Sequence, residues 1–132
     1  SLALSLCALP LFDFVIVEYN PFRREADLEL FWRAQQHECG VLVTAPTGLE
    51  PPLPSAVAQF REGCWDAVEA EFPEYAGHRA WLALQFGLHH PAVCSVLPHI
   101  SSASEWVEWQ TGMHLPRIEM DQWQRMKRLA LG

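Results

Sequence analysis

The chain is poor in positive charge. It holds one lysine, Lys127, and nine lysines and arginines in all against sixteen acidic residues, a net charge of −7. Nucleic acids and anionic membrane surfaces both demand basic footprints, so neither is an expected partner. The cations that are present form only small groups, Arg23-Arg24 and Arg125 to Arg128, and read as solvated faces. No cysteine pair follows the C-x-x-C spacing, and no metal-ligand spacing recurs. Cys7 and Cys94 lie in apolar runs, so buried free thiols in a reducing, cytoplasmic setting are expected. No apolar run is long enough to span a bilayer, and the opening SLALSLCALP lacks the basic residues of a signal peptide. That stretch begins with Ser rather than Met and is expected to be the tail of a helix cut from a longer protein. No repeat of fixed period is visible.

What remains is ordinary globular material. The 132 residues make one domain by length, half apolar and 19% charged. The opening helix ends near Leu9 and is broken by Pro10. Residues 12–19, FDFVIVEY, are an almost continuous run of β-branched and aromatic side chains, the pattern of a strand buried on both faces. Asn20-Pro21 punctuates its end. Over residues 25–38 the positions of Ala26, Leu28, Leu30, Phe31 and Ala34 predict a helix, acidic in its first turn and stopped at Gly40 or Cys39. Residues 40–45 read as a second strand ended by Pro46-Thr47-Gly48, and 49–55 as a proline-stiffened loop. A helix follows over 57–72 with Phe60, Cys64 and Val68 inward.

The most informative stretch runs from His78 to Trp109. Ala80, Trp81, Leu84 and Leu88, widened by Ala83 and Phe86, predict an amphipathic helix that Pro91 ends at His90. Residues 93–97 form a third strand closed by Pro98. Ser101, Ser102 and Ser104 are candidate N-caps of a helix reaching Gly112. Residues 113–117 are irregular. A last helix over 119–131 places Met120, Trp123, Met126, Leu129 and Ala130 on one face. Strand and helix alternate, so the expected sheet is parallel with right-handed crossovers. Three such strands cannot close a barrel, and the economical reading is the last third to half of a (β/α)8 barrel. His89-His90 with His99 and Cys94 fits no zinc pattern, since helix C-termini favour histidine anyway. No G-x-S-x-G frame surrounds the serines, so a hydrolase elbow is not expected. The tryptophans read as packing between outer helices, with Trp106 and Trp109 the pair whose exposure would matter.

Four blocks, in order, resemble the C-terminal half of the aldo/keto reductase family. FDFVIVEYNPF is similar to its sixth barrel strand and GVLVTAPTG to its seventh. The helix and strand leading to the eighth match at Leu82-Ala83-Leu84, Leu88, Pro91, Val93, Val96-Leu97-Pro98, Ser101, Glu105 and Glu108. PRIEMDQWQRM resembles the family's terminal helix. The resemblance implies a (β/α)8 barrel performing NAD(P)H-dependent carbonyl reduction on a small carbonyl substrate. It places the family's catalytic Asp, Tyr, Lys and His in the first half of the barrel, outside this chain, so no catalytic residue is expected here. Neither Tyr19 nor Tyr75 is expected to meet Lys127 at a strand end as an acid pair.

The second half of the family's barrel supplies most of the cofactor site. By position, Ile16 stands where the family's amide-binding Gln lies, and Thr44 where an aromatic stacks on the nicotinamide. Pro46, Thr47 and Gly48 correspond to the turn near the pyrophosphate, and His99, Ile100 and Ser101 to the phosphate-contacting loop. Glu105 stands where NADP-preferring members carry Arg, and Trp109 where an Asn reads the adenine. A carboxylate repels a 2′-phosphate but accepts a bond from a free ribose hydroxyl, so NADH is the expected cofactor. An equal alternative reading makes Glu105 a first-turn acid serving the helix dipole. The substitutions at Ile16, Thr44 and Trp109 leave open a non-catalytic relative that keeps the scaffold as an interaction domain.

Overall fold

The computed structural model describes residues 2–9 and 11–131. Three parallel strands, β1 (Phe14–Glu18), β2 (Gly40–Thr44) and β3 (Val93–Leu97), lie in chain order in one sheet. Six helices accompany them: α1 (Leu2–Cys7), α2 (Leu30–Gln36), α3 (Ser55–Glu71), α4 (Arg79–Leu88), α5 (Ala103–Thr111) and α6 (Met120–Leu129). The alternation expected of a (β/α) barrel segment is therefore present. The helix break expected at Pro10 falls outside the described residues.

Register explains which faces are covered. Val15 pairs with Val41 and Val17 with Val43, and Val43 with Val96. Val15, Val41, Val43 and Val96 point to a packed layer formed with Tyr19, Phe31, Ala34, Leu82, Ala83 and Phe86. Each such large apolar side chain is worth roughly 1.5–3 kcal/mol relative to an exposed one. Gly87 sits beneath β2 and β3, where an added Cβ would come 3.0 Å from Val96 Cγ2. The layer continues into α6, whose Trp123 Nε1–H donates to the Phe86 carbonyl at 3.1 Å.

The opposite face of the sheet is open, which corrects the expectation of two buried faces. Phe14 and Ile16 are each 53% exposed, and Leu97 is 40% exposed. In a closed barrel this face would look into the lumen, and here three strands cover only an arc of one. Cys94 is exposed, not buried, because the β2–β3 register shifts between Val41 and Leu42 and leaves it out of step. Cys7, Cys39 and Cys64 are buried free thiols.

Several boundaries move. The helix expected over 25–38 splits into a 3-10 turn, Glu25–Asp27, and α2, because Leu28 points outward at 84% exposure and supplies no packing to hold the first turn. Gly40 opens β2 and does not cap a helix; the left-handed turn falls on Glu38, with φ 55°. Phe60 and Met120, expected inward, are exposed at 54% and 58%. Ser102 is the N-cap of α5, its hydroxyl accepting from the Glu105 N–H at 3.2 Å. α6 carries a capping box between Glu119 and Gln122.

Candidate functional site

Parallel strands deliver their following loops to one end of the sheet, where ligands collect. After β1, Asn20 is fully buried and ties two loops together. Its Nδ2–H donates to the Ala45 carbonyl at 2.9 Å, and its Oδ1 accepts from the Phe22 N–H at 3.0 Å. Gly48 then packs beneath Phe22 with φ 68°, where a Cβ would lie 2.8 Å from the ring. Only glycine fits that turn without strain. From outside, α3 fixes the same turn: Trp65 Nε1–H donates to the Thr47 carbonyl at 2.9 Å and Arg61 to the Gly48 carbonyl at 2.5 Å.

Two adjoining cavities, of about 420 and 440 Å³, open along these loops. Glu50, Pro51 and His99 line both. Thr44, Leu97 and Pro98 belong to the one over the strand ends, and Thr47, Arg79, Glu105 and Trp109 to the one toward α5. Of the expected cofactor residues, Thr44, Thr47, His99, Glu105 and Trp109 thus lie together. Pro46 and Gly48 are buried supports of the turn. Ile16 stands apart on the open sheet face, and Ile100 turns away into a separate groove between α4 and α5.

The cleft is rich in carboxylates. Glu50, Glu62, Glu105 and Glu108 line it against Arg79 and His99. Arg79 is already engaged by Glu62, by Asp66 at 2.8 Å and by Glu69 at 3.1 Å. More telling is where two of the carboxylates go. Glu105 Oε2 accepts from the Ser101 N–H at 2.6 Å and from its hydroxyl at 3.0 Å. Those two donors hold the Glu105 carboxyl below the ordinary value of 4.5. Glu50 Oε1 accepts from the Thr47 N–H at 3.2 Å, while the Gly48 N–H binds the Ala45 carbonyl and the Leu49 N–H binds Thr47 Oγ1. The N–H groups of Thr47, Gly48, Leu49 and Ser101, expected near phosphates, are thus occupied by the protein's own oxygens.

A nicotinamide dinucleotide therefore meets an incomplete site. Ile16 offers no partner to a carboxamide, Thr44 offers no ring face, and a phosphate must displace Glu50 and Glu105 from their N–H groups. Sequence reasoning missed Glu50, Arg79 and Asn20. Thr47-x-x-Glu50 carries the S/T-x-x-E signature of a capping box, which would have marked Glu50.

Away from the cleft, Lys127 Nζ pairs with Asp27 at 2.9 Å, and the Tyr19 hydroxyl lies beside the same carboxylate. Burial first, and Asp27 second, push the Tyr19 phenol far above its usual range. Tyr19 is fully buried against Phe31 and Phe86 and lines neither cavity, so this trio locks α6 onto the packed layer and does not face a substrate. The His89 and His90 rings lie tilted against Trp123, and among the described residues no group of three or more His, Cys, Asp or Glu side chains is placed to hold a metal ion. Among those residues no helix is long and apolar enough to cross a membrane.

No family model and no curated protein matches the chain. Solved structures do. The apo form of aldo-keto reductase AKR11C1 from Bacillus halodurans superposes with a TM-score of 0.68 at 21% identity, over 89% of this chain. Its holo form gives 0.66 at 19% identity, over 95% of this chain. The match spans only 43% and 45% of those chains, a C-terminal part. At this identity the likeness establishes the fold alone: the chain has the fold of the C-terminal part of a (β/α)8 barrel, as its sequence resemblance implied.

Proposed function

We propose that this chain is the C-terminal, cofactor-site portion of an aldo/keto reductase-like oxidoreductase that interconverts a small carbonyl compound and its alcohol by hydride transfer. The observation that carries the reading is the joint one of an open sheet face and a cleft at the strand ends that gathers Thr44, Thr47, His99, Glu105 and Trp109. In this reading residues 1–132 form one partial barrel domain, and the catalytic Asp, Tyr, Lys and His come from the strands this segment does not contain. A bound nicotinamide dinucleotide would supply the hydride. This chain's own part is to wall the adenosine end and to select against an extra phosphate through Glu105. Free thiols support a reducing, cytoplasmic setting.

The carboxylates seated on the Thr47 and Ser101 N–H groups favour a second reading, a non-catalytic relative that keeps the scaffold for interaction. Calorimetric titration of NADH and NADPH into the complete protein separates the two. The enzyme reading expects NADH to bind more tightly than NADPH. No binding of either at millimolar concentration would sink it and leave the scaffold. The coding sequence upstream of Ser1 gives an independent check, since the enzyme reading requires the four catalytic residue types there at strand ends.

A further inference from the structure

Beyond the cleft, on the other side of Trp109, a second concavity runs between α4 and α5. Its apolar lobe, about 350 Å³, is walled by Trp81, Leu84, Ile100, Trp106, Trp109 and Met113. A polar lobe of about 460 Å³, with His89 and Glu119 in its lining, continues from it, and Gln85, Leu88 and Arg117 line both. Gln85 stands out in a wall of this kind. It is only 5% exposed, yet no hydrogen bond among the described residues uses its carboxamide. Its polar atoms are not among the sealed, unpartnered ones, so the amide keeps an opening to the groove and is free to bond there. Arg117, at the junction of the lobes, is exposed and takes part in no ion pair among the described residues. The wall thus offers one amide and one positive charge beside a tryptophan-rich trough.

We propose that this groove binds an apolar monocarboxylate, its body against Trp106, Ile100 and Leu88 and its carboxylate at Arg117 and the Gln85 amide. A single charge is specified because Glu119 lines the polar lobe and the chain as a whole is strongly acidic. Polyanions meet more repulsion than one guanidinium offsets.

Sodium decanoate, below its micelle concentration, is the probe, with decanol as its uncharged counterpart. The readout is the side-chain amide resonance of Gln85 and the indole N–H resonances in the isotope-labelled chain. Saturable decanoate binding should shift Gln85. Arg117→Ala should weaken decanoate at least about tenfold, the loss of one charge-assisted bond, and leave decanol unchanged. Trp106→Ala, at a half-exposed position, should weaken both ligands, and Ile16→Lys on the open sheet face should affect neither. Undiminished decanoate affinity in Arg117→Ala overturns the proposal, as does loss of binding in Ile16→Lys, which would put the ligand on the sheet. A longer form of the polypeptide in which Gln85 and Trp106 no longer respond to decanoate would show the groove to be a packing surface and overturn it too.

Discussion

At the scale of single residues, Glu50 and Glu105 do most to decide what the cleft accepts. Each places a carboxylate on a loop N–H, which closes that donor to any other acceptor. Replacing Glu105 by Arg removes that carboxylate and adds a cation, so NADPH binding by the complete protein should strengthen severalfold in calorimetry. Equal NADPH affinity in the two proteins would mean that Glu105 only caps α5. The same contact makes a pH signature. Glu105 has a lowered folded pKa, so its contribution is full above the unfolded carboxylate value and is lost as pH falls through the folded one. The Ser101 amide resonance should therefore titrate with a midpoint below 4.5, and not at all in Glu105→Gln. His90 carries the opposite charge type with the same slope. Burial lowers its pKa, and its Nδ1 accepts from the Ala92 N–H, so acidification from neutrality should cost stability that a His90→Gln variant does not lose. How much of the site was readable follows from what fixes each residue. Thr44, Thr47 and His99 are set by strand ends that hydrophobic runs define. Arg79 was missed because its role depends on contacts between α3 and α4 that no local periodicity encodes, whereas Glu50 sits in a local Thr47-x-x-Glu50 cap that the sequence does carry.

At the scale of elements, the strands were legible to within two residues because β-branched runs closed by proline admit little else. The helices were less so. Leu28 counted toward an apolar stripe, although only the fold determines which side of a short turn meets the core. Glycine positions show how tightly the elements meet. An added Cβ at Gly112 would lie 2.3 Å from Trp81 Cβ, whereas at Gly63, inside α3, it meets nothing within 4 Å. Gly112→Ala should destabilise by about 1–3 kcal/mol through overpacking. Gly63→Ala should instead stabilise by roughly 0.5–1 kcal/mol, the helix-propensity gain. Urea titrations of both variants test the pair, and a stable Gly112→Ala would show that the α4–α5 corner is loose.

At the scale of the whole molecule, the barrel likeness was readable from the order of four blocks, while the bareness of one sheet face was not. Apolar runs alone cannot say whether a strand is covered on one side or two. The open face predicts its own chemistry. Phe14→Lys and Ile16→Lys should leave stability within about 0.5 kcal/mol, as surface changes do, while cutting dye binding and self-association in light scattering. A large stability loss would mean that the face is already covered. The guanidinium of Arg79 draws a last consequence, one of ionic strength. It gathers carboxylates from three turns of α3 onto the start of α4 while remaining partly exposed. Salt screens such partly wet pairs, yet it also relieves the mutual repulsion of a chain with net charge −7. Molar salt should then raise the melting temperature of the molecule as a whole while letting α3 swing from α4, so that the cleft's rim loosens as its foundation firms.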